Sequence, residues 1–123
     1  MKLYLFTSLL VASVIAISAE QYTNKYDEIN LDEILSNKKV LSGYINCVLD
    51  KGRCSVDGKE LKLHIADALR TGCKNCTGNQ KQGSLKVIRH LIKYEQAAWA
   101  SLKKKYDPVG SYAKKYEREL QGV

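Results

Sequence analysis

The chain has 123 residues, with 20 Lys/Arg against 13 Asp/Glu and a formal net charge of +7. That length gives one domain with one modest core, and no segment beyond the first 19 residues approaches a membrane span. At the N-terminus, Lys2 precedes an apolar run from Leu3 to Ile17 broken only by Thr7, Ser8 and Ser13. Small residues then stand at Ala16, Ser18 and Ala19, just before the chain turns polar at Glu20. This is the layout of a cleaved secretory signal over residues 1–19, which leaves residues 20–123 as a soluble, extracellular domain.

Six helices are expected in that domain, because strand-like alternation is not sustained anywhere and Pro108 is the only proline. Asn30 to Glu33 reads as a capping box for a short helix carrying Ile34 and Leu35. A second helix spans about Lys38 to Leu49. At 100° per residue Cys47, Val40, Tyr44, Val48, Leu41, Ile45 and Leu49 fill a continuous arc of about 200°, roughly twice an ordinary stripe. Such a helix is packed on two sides or lines a hollow, and Gly52 with the approach to Cys54 should end it. Asp57-Gly-Lys-Glu60 suggests a box opening the third helix, whose stripe is Leu61, Ile65, Ala68 and Leu69 beside a polar seam of Glu60, His64 and Asp67. Thr77-x-x-Gln80 is a further box. The helix after it carries Leu85, Val87, Ile88, Leu91, Ile92 and Tyr94 on one half, and Lys86, Arg89, His90 and Lys93 on the other. Gln96 to Tyr106 aligns Ala98, Trp99, Leu102 and Tyr106, and Asp107-Pro108 punctuates. A last helix from about Ser111 has only the narrow stripe Tyr112, Ala113, Tyr116 and Leu120, as suits an element laid on the outside.

Four cysteines in a short exported chain read as a disulfide framework. Three pairings are open, and the short spacings favour Cys47 with Cys54 and Cys73 with Cys76. Rings that small contribute about 2 to 2.5 kcal/mol each, which leaves most of the stability to helix packing. A zinc site would need a second close pair, and a redox pair would need a strand–helix setting. The only Phe and Met, Phe6 and Met1, both lie in the leader, so the domain's aromatics are tyrosines and Trp99. Each has an apolar body and one polar tip, suited to a guest with a greasy tail and a hydrogen-bonding head or to the edge of a helix.

The cysteine spacing resembles that of the insect chemosensory proteins, the OS-D family. So do Tyr22-Thr23-x-Lys25-Tyr26-Asp27, Leu31-Asp32-Glu33-Ile34-Leu35, Tyr44-Ile45-Asn46-Cys47, Asp57-Gly58-Lys59-Glu60-Leu61 and Asp67-Ala68-Leu69-x-Thr71-Gly72-Cys73. Lys105-Tyr106-Asp107-Pro108 and Lys114-Lys115-Tyr116-Glu117 complete the match over nearly the whole domain. The resemblance implies an all-α bundle of six helices, sequential disulfides, and an internal hydrophobic channel for fatty alcohols, acids, esters or similar semiochemicals. It implies channel-lining or gating roles for Tyr26, Tyr44, Trp99 and Tyr116. The inward stripes add Ile45, Val48, Leu61, Ile65, Leu69, Val87 and Leu91 as candidate lining. Ala66 stands where members often carry proline, so the third helix is expected to run unbroken.

Catalysis finds no footing: there is no Gly-x-Ser-x-Gly, no phosphate loop and no His-Glu-x-x-His. His64 with Asp67 lacks a third partner, and His90 sits among cations, so both read as satisfied or solvated histidines. No enzyme activity, cofactor or metal is therefore expected. Residues 20–80 balance nine Lys/Arg against nine Asp/Glu, whereas residues 81–123 carry ten against four. Lys103-Lys104-Lys105, Lys114-Lys115 and Arg118 form a solvated basic face that could meet an anionic membrane surface; nucleic acid is not expected outside a cell. The resulting expectation is a monomeric secreted carrier of small apolar ligands in sensory lymph or haemolymph, with a membrane receptor as a conceivable partner. The alternative is an interaction protein of development, immunity or tissue repair for which ligand binding is secondary.

Overall fold

Local chemistry sets where each helix starts in the computed structural model, which describes residues 30–120. Six helices and no strand occur among these residues: α1 (Leu31–Ser36), α2 (Lys38–Val48), α3 (Val56–Thr71), α4 (Gly78–Tyr94), α5 (Gln96–Tyr106) and α6 (Ala113–Leu120). Asn30 caps α1 by accepting from the Glu33 amide at 3.2 Å. Asn37 ends α1 and begins α2, its side-chain oxygen taking the Lys39 and Val40 amides at 3.1 and 3.2 Å. Thr77 and Gln80 form the expected reciprocal box at the start of α4. The third helix corrects the expectation. Its cap is Ser55, which accepts from the Gly58 amide at 3.0 Å, so Asp57 already lies in the first turn.

The helix ends also differ in detail from the expected stops. Beyond α2 the reversal comes at Asp50, in the left-handed region at φ 62°, and not at Gly52. Asp50 donates to the Cys47 carbonyl at 3.0 Å and Lys51 to that of Asn46 at 2.7 Å, which closes the last turn as a glycine would. At the end of α3, Gly72 has φ 74°, and a Cβ there would lie 2.7 Å from the Tyr112 ring, so backbone and space both call for glycine. With Ala66 in place, α3 is unbroken over 16 residues.

Helix α4 packs on α1, α3, α5 and α6, and α1 lies also against α2; in the middle of the bundle with α4, helix α3 packs on α2 and α5 as well. Its inward face, Leu61, Ile65, Ala68 and Leu69, is buried with Val48, Val87, Ile88, Leu91, Trp99 and Leu102. The wide arc of α2 meets both sequence readings at once. Leu41, Cys47 and Val48 are buried, Tyr44, Ile45 and Leu49 are half-buried, and Val40 is exposed.

All four cysteines are paired, Cys47 with Cys54 and Cys73 with Cys76. The first bridge lies so close to α3 that a Cβ on Gly58 would come 3.1 Å from Cys47 Sγ. Two buried carboxylates tie down the remaining loops. Asp67 takes the Thr71 hydroxyl at 2.8 Å and the Asn75 amide at 3.0 Å, fixing the Cys73–Cys76 turn. Asp107 accepts four amides, from Gly110, Ser111, Tyr112 and Ala113, at 2.7 to 3.1 Å. What the sequence shows as punctuation is thus the anion that seats the N-terminus of α6. No described helix is long and apolar enough to cross a membrane. The expected leader, residues 1–19, and Tyr26 lie outside the described residues.

Candidate functional site

The apolar faces of four helices converge on one small cavity. Leu41, Tyr44, Ile45 and Val48 line it from α2, Leu61 and Ile65 from α3, Val87 and Leu91 from α4, and Leu102 from α5. Every one of these side chains is aliphatic except that of Tyr44. The volume is about 10 Å³, room for one water at most. The internal channel that the resemblance implies is therefore a crevice here, with branched side chains from four facing helices lining it.

Seven of the residues singled out in the sequence are brought together here: Tyr44, Ile45, Val48, Leu61, Ile65, Val87 and Leu91. Leu41 and Leu102 join them. Both stood in apolar stripes, but nothing in a stripe says which of its members borders a cavity and which fills the core. Leu69, Trp99 and Tyr116 do not line this cavity; all three are buried in the surrounding core.

The polar tips of the buried aromatics are spent inside the protein. Tyr116 donates to the Ala68 carbonyl at 2.7 Å, and Tyr106 to that of Val48 at 2.5 Å. Trp99 Nε1 donates to Glu117 Oε2 at 2.8 Å, a carboxylate that also takes Lys103 Nζ at 2.8 Å. Burial pushes the Tyr116 phenol up to about 12 and also raises that of Tyr106. The hydrogen bond from Lys103, then that from Trp99, holds Glu117 below the usual carboxylate range. Tyr44 differs from these aromatics. It lines the cavity and also a surface groove of about 220 Å³ with Val40, Gly43, Cys47, Arg53, Ser55 and Gly58, so it is the residue the two share.

This setting offers a guest dispersion contact and little else. Among the described residues no carboxylate, imidazole or amine lines the cavity. His64 is buried 3.5 Å from Glu60, and His90 lies on the far side of α4 with its ring 5.0 Å from that of Tyr94. Asp67 comes near Cys73 and Cys76 at metal-binding spacing, but both sulfurs are committed to a disulfide and offer no thiolate.

The sequence profile of the insect pheromone-binding family A10/OS-D matches residues 22–114. The chain belongs to that family. Among A10/OS-D relatives, the allergen Tha p 1 of Thaumetopoea pityocampa is 44% identical, with 100% of this chain and 98% of that protein covered. Ejaculatory bulb-specific protein 3 of Drosophila melanogaster is 41% identical, with 94% of each chain covered. Antennal chemosensory protein A6 from the moth Mamestra brassicae has a solved structure with a TM-score of 0.74 at 55% identity, over 76% of this chain and 91% of that one. A chemosensory protein in complex with bromo-dodecanol gives a TM-score of 0.74 at 57% identity, over 80% of this chain and 98% of the other. The family is named for pheromone binding, which fits a cavity with no reactive group among its described lining residues.

Proposed function

We propose that the protein is a secreted carrier that takes the hydrocarbon tail of a long-chain alcohol, acid or ester into the cavity between α2, α3, α4 and α5. The observation that carries this reading is the convergence of nine side chains, eight of them aliphatic, on one internal cavity in a chain 57% identical to a chemosensory protein solved in complex with bromo-dodecanol. Cavity volume is the constraint. Pockets for such guests measure about 300 Å³ or more, so the helices or their side chains must part to admit the tail. Tyr44 is the natural point of entry, since it is the lining residue common to the crevice and the surface groove. Export is supported by the apolar N-terminal stretch of the sequence, and service in chemoreception or transport by the family.

The magnitudes are sufficient. At about 0.8 kcal/mol per methylene, a twelve-carbon tail contributes roughly 9 kcal/mol before the costs of opening and association. Micromolar binding, about −8 kcal/mol, is then the upper range. Calorimetric titration with alcohols of increasing length should show affinity climbing and then levelling once the space is filled. Ile45→Trp should weaken binding by filling the crevice, while Lys104→Ala should leave it unchanged. Affinity independent of chain length, or binding that Lys104→Ala weakens and Ile45→Trp spares, would overturn the reading.

A further inference from the structure

The outer side of α4 carries Lys86, Arg89, His90 and Lys93 at helical spacing, so all four project from one face. That face walls an open groove of about 330 Å³ against Asp32 and Leu35 of α1, with Tyr94 at its end. The groove shares no residue with the apolar cavity. The one carboxylate among its described lining residues is already engaged, since Asp32 bonds Lys86 at 2.5 Å. Arg89 has no ion pair among the described residues, and its Nε is sheltered from solvent without a hydrogen-bond acceptor. A sheltered guanidinium N–H left unbonded is unfavourable, and the acceptor that fits its planar fork is an oxyanion, a carboxylate above all. Beside the charge lies apolar surface: Leu35, and the Tyr94 ring, which is 64% exposed and flanked by His90.

We propose that the α1–α4 groove is a second binding site, for a small organic carboxylate with a flat or short apolar body. Arg89 receives the carboxylate, Lys93 adds positive potential, and Tyr94 with Leu35 contacts the body. Free acid is the intended source of the anion, not the headgroup of a lipid surface.

Benzoate titrated into the ¹⁵N-labelled full chain tests this through amide shifts. The expected result is saturable binding tighter than about 1 mM, with shifts concentrated in residues 32–36 and 86–94. Benzyl alcohol, the neutral counterpart, should bind at least about tenfold more weakly, because it gives Arg89 no oxyanion. Arg89→Gln should weaken benzoate about tenfold, Lys93→Gln severalfold, and Lys115→Gln on α6 not at all. Should Arg89→Gln cost helix content, the exposed Lys93→Gln and the alcohol comparison decide alone. Equal binding of benzyl alcohol, equal shifts from inorganic phosphate, or indifference to both α4 substitutions would overturn the site. So would binding to phosphatidylserine vesicles through these residues without binding to benzoate. Dodecanol shifting residues 41–48 reports the apolar cavity separately, so the two readings fail independently.

Discussion

Glu117 holds two donors on one oxygen, and the only tryptophan reports on it. Because the folded carboxyl sits below its ordinary value of 4.5, its contribution to stability is present above that pH and is lost as pH falls through the lower folded value. Trp99 emission should therefore titrate with a midpoint below pH 4.5, and Glu117→Gln should abolish the transition. Tyr116 works at the other end of the scale. Its phenol is raised from 10.0 to about 12, so the stability it contributes is complete below pH 10 and disappears as pH rises toward 12. Tyr116→Phe should cost about 1 kcal/mol at neutral pH through the lost bond to Ala68, and should flatten the alkaline arm of a Tm-against-pH curve. A steeper alkaline arm in that variant would contradict the assignment. None of these pairings was legible in the sequence. Trp99 and Glu117 are eighteen positions apart, and Tyr116 and Ala68 forty-eight, and a bond across such separations is fixed by packing, not by local pattern.

Helices, by contrast, were readable because their signals are local. The α4 box and the bounds of α5 follow directly from residues within a few positions of each end. Where reading slipped, the cap lies two residues before the box read at Asp57: Ser55 takes the role, Asp57 falls in the first turn of Val56–Thr71, and backbone geometry makes that choice. Ser55→Ala should accordingly destabilise the fold by about 1 kcal/mol in urea denaturation, and Asp57→Ala by only a few tenths through the helix dipole. Asp107 is the stronger case at this scale. Removing a buried carboxylate that satisfies four amides should cost about 2 to 3 kcal/mol. Hydrogen exchange would locate the damage: in Asp107→Ala, amides of Ala113–Leu120 should lose protection well before those of α3. Uniform loss across the bundle would show that α6 is not an independently seated element.

At the scale of the whole molecule the two bridges close rings local to single turns, so reduction should lower stability by about 2 to 2.5 kcal/mol per bridge and leave helical circular dichroism largely intact at 25 °C. Collapse of that signal in dithiothreitol would mean the bridges hold more than their own turns. The fold class and the disulfide partners were both legible in the sequence, being consequences of periodicity and spacing. The state of the interior was not, since the same stripes describe an open channel or a filled one, and side-chain volumes decide between them. That closed interior also sets a clock. Under the proposed carrier role a tail needs a wider form than this crevice of about 10 Å³, and where that form is visited before binding, apparent affinity equals intrinsic affinity multiplied by the fraction of time spent in it. Mixed rapidly with excess alcohol, the protein should bind at a rate that rises with concentration and then reaches a ceiling set by its own opening. Tyr44→Ala, at the residue that groove and crevice share, should raise that ceiling and speed release of a bound alcohol as well.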